Sequence, residues 1–158
     1  MFYVLAKAAH LLAVIVWVGG MFFALYCLHP ALAPLEAPAR VALAQRALGH
    51  FFRAVTVAVA VIVLSAAAML ASLAANAQRA GLGLNMPLDW WLMAVLGTLM
   101  VLIFAHIRLV LFRRVRHAAR AQDWRSAGAA LARIRAFVTV NLALGVVIVV
   151  ATRLGQAT

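Results

Sequence analysis

Acids are almost missing from this sequence. In 158 residues only Glu36, Asp89 and Asp123 carry a carboxylate, and each falls in a connection between apolar runs. No paired carboxylates can form from them, and no nucleophile triad or glycine-rich phosphate loop is present, so the chain does not fit an independent hydrolase. Cysteine is scarcer still: Cys27 stands alone, which rules out an internal disulfide and a zinc-binding thiolate cluster. Low-complexity segments and internal repeats are absent too.

Apolar residues are abundant. Hydrophobic types make up 68% of the chain, more than a soluble domain of this length can bury, so lipid must be the solvent. The net charge of +11 does not point to nucleic acid, because the arginines sit beside the apolar runs, where membrane topology explains them.

The run from Ala8 to Pro30 is interrupted before His29 by one strongly polar residue, His10. At 1.5 Å per residue it crosses a hydrocarbon core of roughly 30 Å. Ala31-Leu32-Ala33 mimics a signal-peptidase site, but the apolar part is too long and Pro34 would follow the cut, so this helix is expected to stay. His10, Val14, Trp17 and Met21 recur at helical spacing along one stripe, and Gly19 and Gly20 allow a close neighbour. An imidazole in hydrocarbon must be paired or metal-bound. It marks either a ligand site or a packed helix whose histidine bonds a neighbour.

After His29-Pro30, Pro34 and Pro38 are expected to break the helix, with Arg40 and Arg46 on a polar connection. A second span is expected over residues 51–75, a glycine- and proline-bearing loop after it, and a third span over 90–112, opened by the interfacial pair Trp90-Trp91. Residues 123–135 read as an amphipathic segment capped by Asp123, with Trp124, Ala127, Leu131 and Ile134 on one side. It should run into a fourth span over 136–152, where Asn141, Gly145, Ile148 and Thr152 share a face. With the first span at 3–28, the fold class is all-α: a single-domain integral membrane four-helix bundle over residues 1–158.

The connections 1–2 and 3–4, with their helix ends, hold eleven arginines, whereas the opposite side holds Lys7, Arg79 and Arg153. The positive-inside rule puts the arginine-rich side in the cytoplasm and both termini in the periplasm of a bacterial inner membrane. His10 then lies in the outer half of its span, and His106 in the inner half of the third. His50 and His29 lie at the inner surface, and His117 in a solvated segment. His10 and His106 differ in depth by roughly 15 Å at 1.5 Å per residue, so one haem between them needs strong tilt. The simpler expectation is an outer site on His10 and an inner site on His106 with His50, either suited to haem iron or copper. Met69, in the outer half of the second span, could add a thioether. Met93 is also outer but on a different face from Val95, Leu99, Leu102 and His106. Arg53 and Arg108 could pair with propionates or another carboxylate, although lipid phosphate or snorkelling is the commoner fate of such arginines.

The stretch Lys7-Ala8-Ala9-His10 through Trp17-Val18-Gly19-Gly20-Met21, with His50-Phe51-Phe52-Arg53 opening the second span, resembles the copper resistance protein D (CopD) family. Lys7 to His10, Trp17 and the stretch from Trp91 to His106 are more distantly similar to the HemJ-type membrane protoporphyrinogen oxidases, helical bundles that bind haem b. A lysine and an Asn-Glu pair of that family fall here at Val95 and at Ala136-Phe137, so His10 alone carries over. Together with the placement of the histidines, the expectation is a CopD-like membrane protein binding haem b, with His10 as the first candidate ligand and His106 as the second, for electron transfer or redox sensing. Copper transport or homeostasis is the alternative, and an oxidase-like enzyme or an assembly partner of a larger complex a further one. Any enzymatic role would be at most that of a haem-dependent membrane oxidoreductase. Expected partners are the lipid bilayer and a redox or copper-carrier protein, with a homo-oligomer left open and nucleic acid excluded. The charge asymmetry predicts that a reporter fused after Thr158 reads periplasmic and one inserted near Gln122 reads cytoplasmic; the reverse pair of readings would invert the assignment.

Overall fold

A computed structural model describes residues 1–81 and 88–154, without the side-chain surroundings of 88, 89, 153 and 154. Gly83 and Pro87 of the expected loop, and the side chains of Asp89 and Arg153, lie outside that description. Four helices are long and apolar enough to cross a membrane: α1 (Phe2–Leu32), α2 (Ala37–Arg79), α3 (Trp90–Arg120) and α4 (Trp124–Thr152). α1 packs chiefly on α2, and α3 on α4. One end of the bundle carries the start of α1 and the finish of α4; the other carries most of the arginines.

The helices run further than the apolar runs alone suggested. Arg40 and Arg46 sit in the first turns of α2, not on a polar connection, because Pro38 occupies a first-turn position where its missing N–H costs nothing. Glu36 sits at the N-cap with extended backbone and accepts the Arg40 N–H at 2.8 Å. α1 also runs past its expected end at residue 28, through Pro30. A π turn over Ala24–Leu28 precedes it, and the chain leaves the helix only after Leu32. A second π turn, Ile107–Leu111, carries α3 past His106. α2 alone has 43 residues, about 65 Å at 1.5 Å per residue, so the arginine end projects well beyond a bilayer core.

That projection is packed. Val41, Ala44 and Leu48 of α2, Leu111 and Val115 of α3, and Ala127 and Ile134 of α4 are buried there, leaving the arginines to the outside. Between α3 and α4 the chain turns in three residues. The Asp123 N–H bonds the Ala118 carbonyl at 2.9 Å and the Gln122 N–H bonds Ala119 at 3.2 Å, a Schellman closure with Gln122 at φ 57°. The Asp123 carboxylate then accepts the Ser126 N–H at 2.9 Å and starts α4. α4 runs unbroken from the amphipathic segment into the span.

Deeper in the bundle the core is aromatic. Trp17 meets Phe104 edge-on at 6.0 Å, Phe104 meets Phe52 at 6.0 Å, and Phe52 meets Phe112 at 5.1 Å, linking α1, α3 and α2. Met100, Phe104, Ile107 and Leu111 form the inward stripe of α3, and Val95, Leu99 and Leu102 face outward. From Trp90 to Ala105 α3 is apolar all round, so nothing in the composition of that part distinguishes the lipid side from the core side. On α1, Gly20 lies under the Phe51 ring: a Cβ built there would come within 2.5 Å of that ring, whereas one at Gly19 would meet nothing within 4 Å.

Gly20→Ala should therefore destabilise the bundle by about 1–3 kcal/mol in detergent unfolding, and Gly19→Ala should have little effect. The Gly20→Ala cost should shrink in a Phe51→Ala background, the sign of direct coupling. At the other end, the hydrogen bond from Ser126 holds the Asp123 carboxyl below the usual carboxylate range. A depressed folded value means the cap stabilises above the ordinary Asp pKa and is lost as pH falls through the folded one. Asp123→Ala should remove that acid-side loss of α4 helicity in a circular-dichroism titration.

Candidate functional site

His10 lies in the hydrocarbon half of α1 nearest the termini and is part-buried against α2. Its Nδ1 stands 2.9 Å from Ser65 Oγ and 3.2 Å from the Ile62 carbonyl. The Ser65 hydroxyl in turn lies 2.6 Å from the Val61 carbonyl and 3.0 Å from that of Ile62. A carbonyl can only accept, and the single Ser65 proton goes to a carbonyl of its own helix, so the shared proton comes from the imidazole. Nδ1 therefore carries the hydrogen, and Nε2 is left with a lone pair. Fixing one ring nitrogen on a protein oxygen while the other stays basic is the arrangement that metal-binding histidines use.

Beside the ring is a cavity of about 480 Å³, lined by His10, Val14 and Trp17 from α1, Met69 from α2, Trp90, Met93 and Met100 from α3, and Gly145 and Ile148 from α4. Met100 is buried, and its Cε would lie 3.4 Å from a Cβ at Gly145, so the glycine leaves room for the thioether. The described lining holds one imidazole and three thioethers but no carboxylate. Among the described residues no three of His, Cys, Asp and Glu gather into a metal cluster. That donor set suits a soft, monovalent thiophile such as Cu(I) and not a hard divalent cation. One helical step further in on α4, Asn141 is buried with its Oδ1 unpartnered.

The other residues expected at a site are distributed differently. Met69 shares the cavity with His10, and so does Met93, which the sequence pattern placed on a face of its own. His106 is exposed on α3, its ring 5.2 Å from that of Phe137. Phe104 and Ile107 take the inward stripe, and position 106 falls between them on the outside. His106 does not line the cavity of His10, nor the one that holds His50. The expected His50–His106 pair is thus not assembled. His50 instead receives the Arg53 Nη2–H on Nδ1 at 2.8 Å, and because arginine only donates, its remaining proton is on Nε2. Arg108 donates from Nη1 to the Phe52 carbonyl at 2.6 Å and to Thr56 Oγ1, fastening α3 to α2.

Reading the sequence missed Ser65, the Ile62 carbonyl and Met100. Ser65 had a signal: it is the lone polar residue between Thr56 and Ser72, at the same depth as His10. Met100 had none, since a methionine in an apolar helix looks like packing.

A family model described as Copper resistance protein D matches residues 45–154, from within α2 to the end of α4. The match takes in Ser65, Met69, Met93 and Met100 and leaves out His10. Comparisons with curated proteins and with solved structures find no match.

Proposed function

This chain belongs to the copper resistance protein D family, and from that premise we propose that it handles Cu(I) as cargo within the membrane. The observation that carries the reading is the meeting of His10, its Nδ1 proton already committed to α2, with the thioethers of Met69, Met93 and Met100 on one apolar cavity. Thioether and neutral imidazole are soft or borderline ligands that match Cu(I), and a monovalent ion bound by them brings the smallest charge a metal cation can carry into the hydrocarbon. Ser65 and the Ile62 carbonyl orient the ring, the methionines add polarisable sulfur, and Trp17 and Trp90 shield the site from water. With the arginine end in the cytoplasm of a bacterial inner membrane, the cavity lies in the periplasmic half, within reach of a periplasmic copper carrier.

A second reading, haem b for electron transfer or redox sensing, is favoured by the size and apolar lining of the same cavity. His10 and a thioether of Met69, Met93 or Met100 are the side chains that would hold it. Haem would be held there by Nε2 and supply a one-electron couple.

Cu(I) titration of the detergent-solubilised protein against a chromophoric chelator separates the readings. His10→Ala should abolish tight binding, and Ser65→Ala, which loosens the ring without removing the ligand, should weaken it by roughly 10–100-fold. Met69→Leu, Met93→Leu and Met100→Leu should each weaken it, and His106→Ala should leave it unchanged. Equal Cu(I) affinity in wild type and His10→Ala would overturn the copper site, and a dithionite-reduced b-type spectrum from the protein as purified would favour haem.

A further inference from the structure

A second cavity, of about 560 Å³, opens between α2 and α3 at the arginine end. Arg46, His50 and Arg53 line it from α2, and Arg108, Arg113 and Arg116 from α3. No carboxylate of the described residues lines it. We infer that this cavity binds a phosphate-bearing anion, and that at its depth the source is the headgroup of an anionic phospholipid.

Five guanidinium groups around one space repel one another unless an anion sits among them. The fold nevertheless builds the cluster from both helices. On α2, positions 46, 50 and 53 follow helical spacing along one face; on α3, Arg113 and Arg116 do so, and Arg108, five residues before Arg113 in the π turn, joins them. Two of the cations are fixed by the protein: Arg53 through His50, and Arg108 through the Phe52 carbonyl and Thr56. The Arg53 bond also leaves His50 with a proton on Nε2, so the histidine adds a neutral donor and no acceptor. All five cations are arginines, whose planar forks match phosphate oxygens two at a time.

The neighbouring residues point to a lipid over a free ion. Leu109 and Phe112 line the same cavity, and Leu109 is exposed on the outside of α3. An anion held by the arginines would thus have apolar surface beside it for the start of an acyl chain. A basic pocket between membrane helices on the cytoplasmic side is where anionic headgroups are favoured. The inference uses none of the residues of the copper reading and stands or falls apart from it.

The test uses the full-length protein in neutral detergent, probed with cardiolipin, phosphatidylglycerol, phosphatidylcholine and inorganic phosphate, and read by native mass spectrometry and thermal melting. Cardiolipin or phosphatidylglycerol should remain bound and raise the melting temperature, and phosphatidylcholine should do neither. Arg46→Gln, Arg113→Gln and Arg116→Gln together should lower lipid occupancy about tenfold or more. These three are exposed, and Arg53 and Arg108 keep their bonds, so folding is retained. A control carrying Arg114→Gln, Arg120→Gln and Arg133→Gln loses the same charge outside the cavity and should still bind. If inorganic phosphate alone reproduces the stabilisation and displaces the lipid, the anion is the same but the source is soluble. Equal loss in the two triple variants, or no binding of any phosphate probe, would overturn the site.

Discussion

An imidazole in hydrocarbon has to give its proton to something, and here the recipient is one turn of α2. The contact between His10, Ser65 and the Ile62 carbonyl satisfies the most expensive polar group of α1, and it is an interhelical bond of the kind worth roughly 1 kcal/mol in a bilayer. Its structural reach exceeds that energy. It sets the rotation of α1 about its own axis, so Val14 and Trp17 turn toward the same cavity, and it determines which ring nitrogen stays basic. Without Ser65 the ring would be free to rotate or take the other tautomer, and Nε2 would no longer be held as the unprotonated nitrogen.

The two ends of the bundle solve opposite problems. At the termini end the polar group is single and the surroundings are apolar, so the protein supplies the partner from its own backbone and one hydroxyl. At the arginine end the charges are many and acids scarce, so the protein supplies geometry and leaves the counter-charge to its surroundings. Helix length connects the two ends. Because α2 and α4 continue past the hydrocarbon, the arginines stand on a packed helical projection whose interior is Val41, Leu48, Val115, Ala127 and Ile134. Guanidinium groups on such a frame hold position better than they would on a loop.

Much of this was legible in the sequence. The four apolar runs, the stripe through His10, Trp17 and Met21, the face of α4 through Asn141 and Gly145, and the continuity of the amphipathic segment with the last span all follow from period and length. What could not be read has physical causes. Pro38 looks like a breaker in a string of letters, but in the first turn of a helix it is a starter. From Trp90 to Ala105 α3 is apolar on every side, so its composition gives no reason to turn Met93 and Met100 inward and Val95 and Leu102 outward; that choice is made by Phe104 interlocking with Trp17 and Phe52. The metal was underdetermined for a different reason. A neutral imidazole is as good a ligand to haem iron as to copper, and only the thioethers gathered around it and the family favour the softer ion.

The two π turns, in α1 before His29 and in α3 after His106, each place one more residue in a turn than an α-helix would. In the language of molecular evolution each is a tolerated insertion. The added residue is absorbed within one turn, and the helix resumes with its face rotated by about 100°. In each helix the residues after the turn keep phase with one another but stand about 100° from the phase of those before it. In α3 the turn itself carries Arg108, so the step in phase between the Met93 and Met100 face and the Arg113 and Arg116 face is made at the residue that bonds α2.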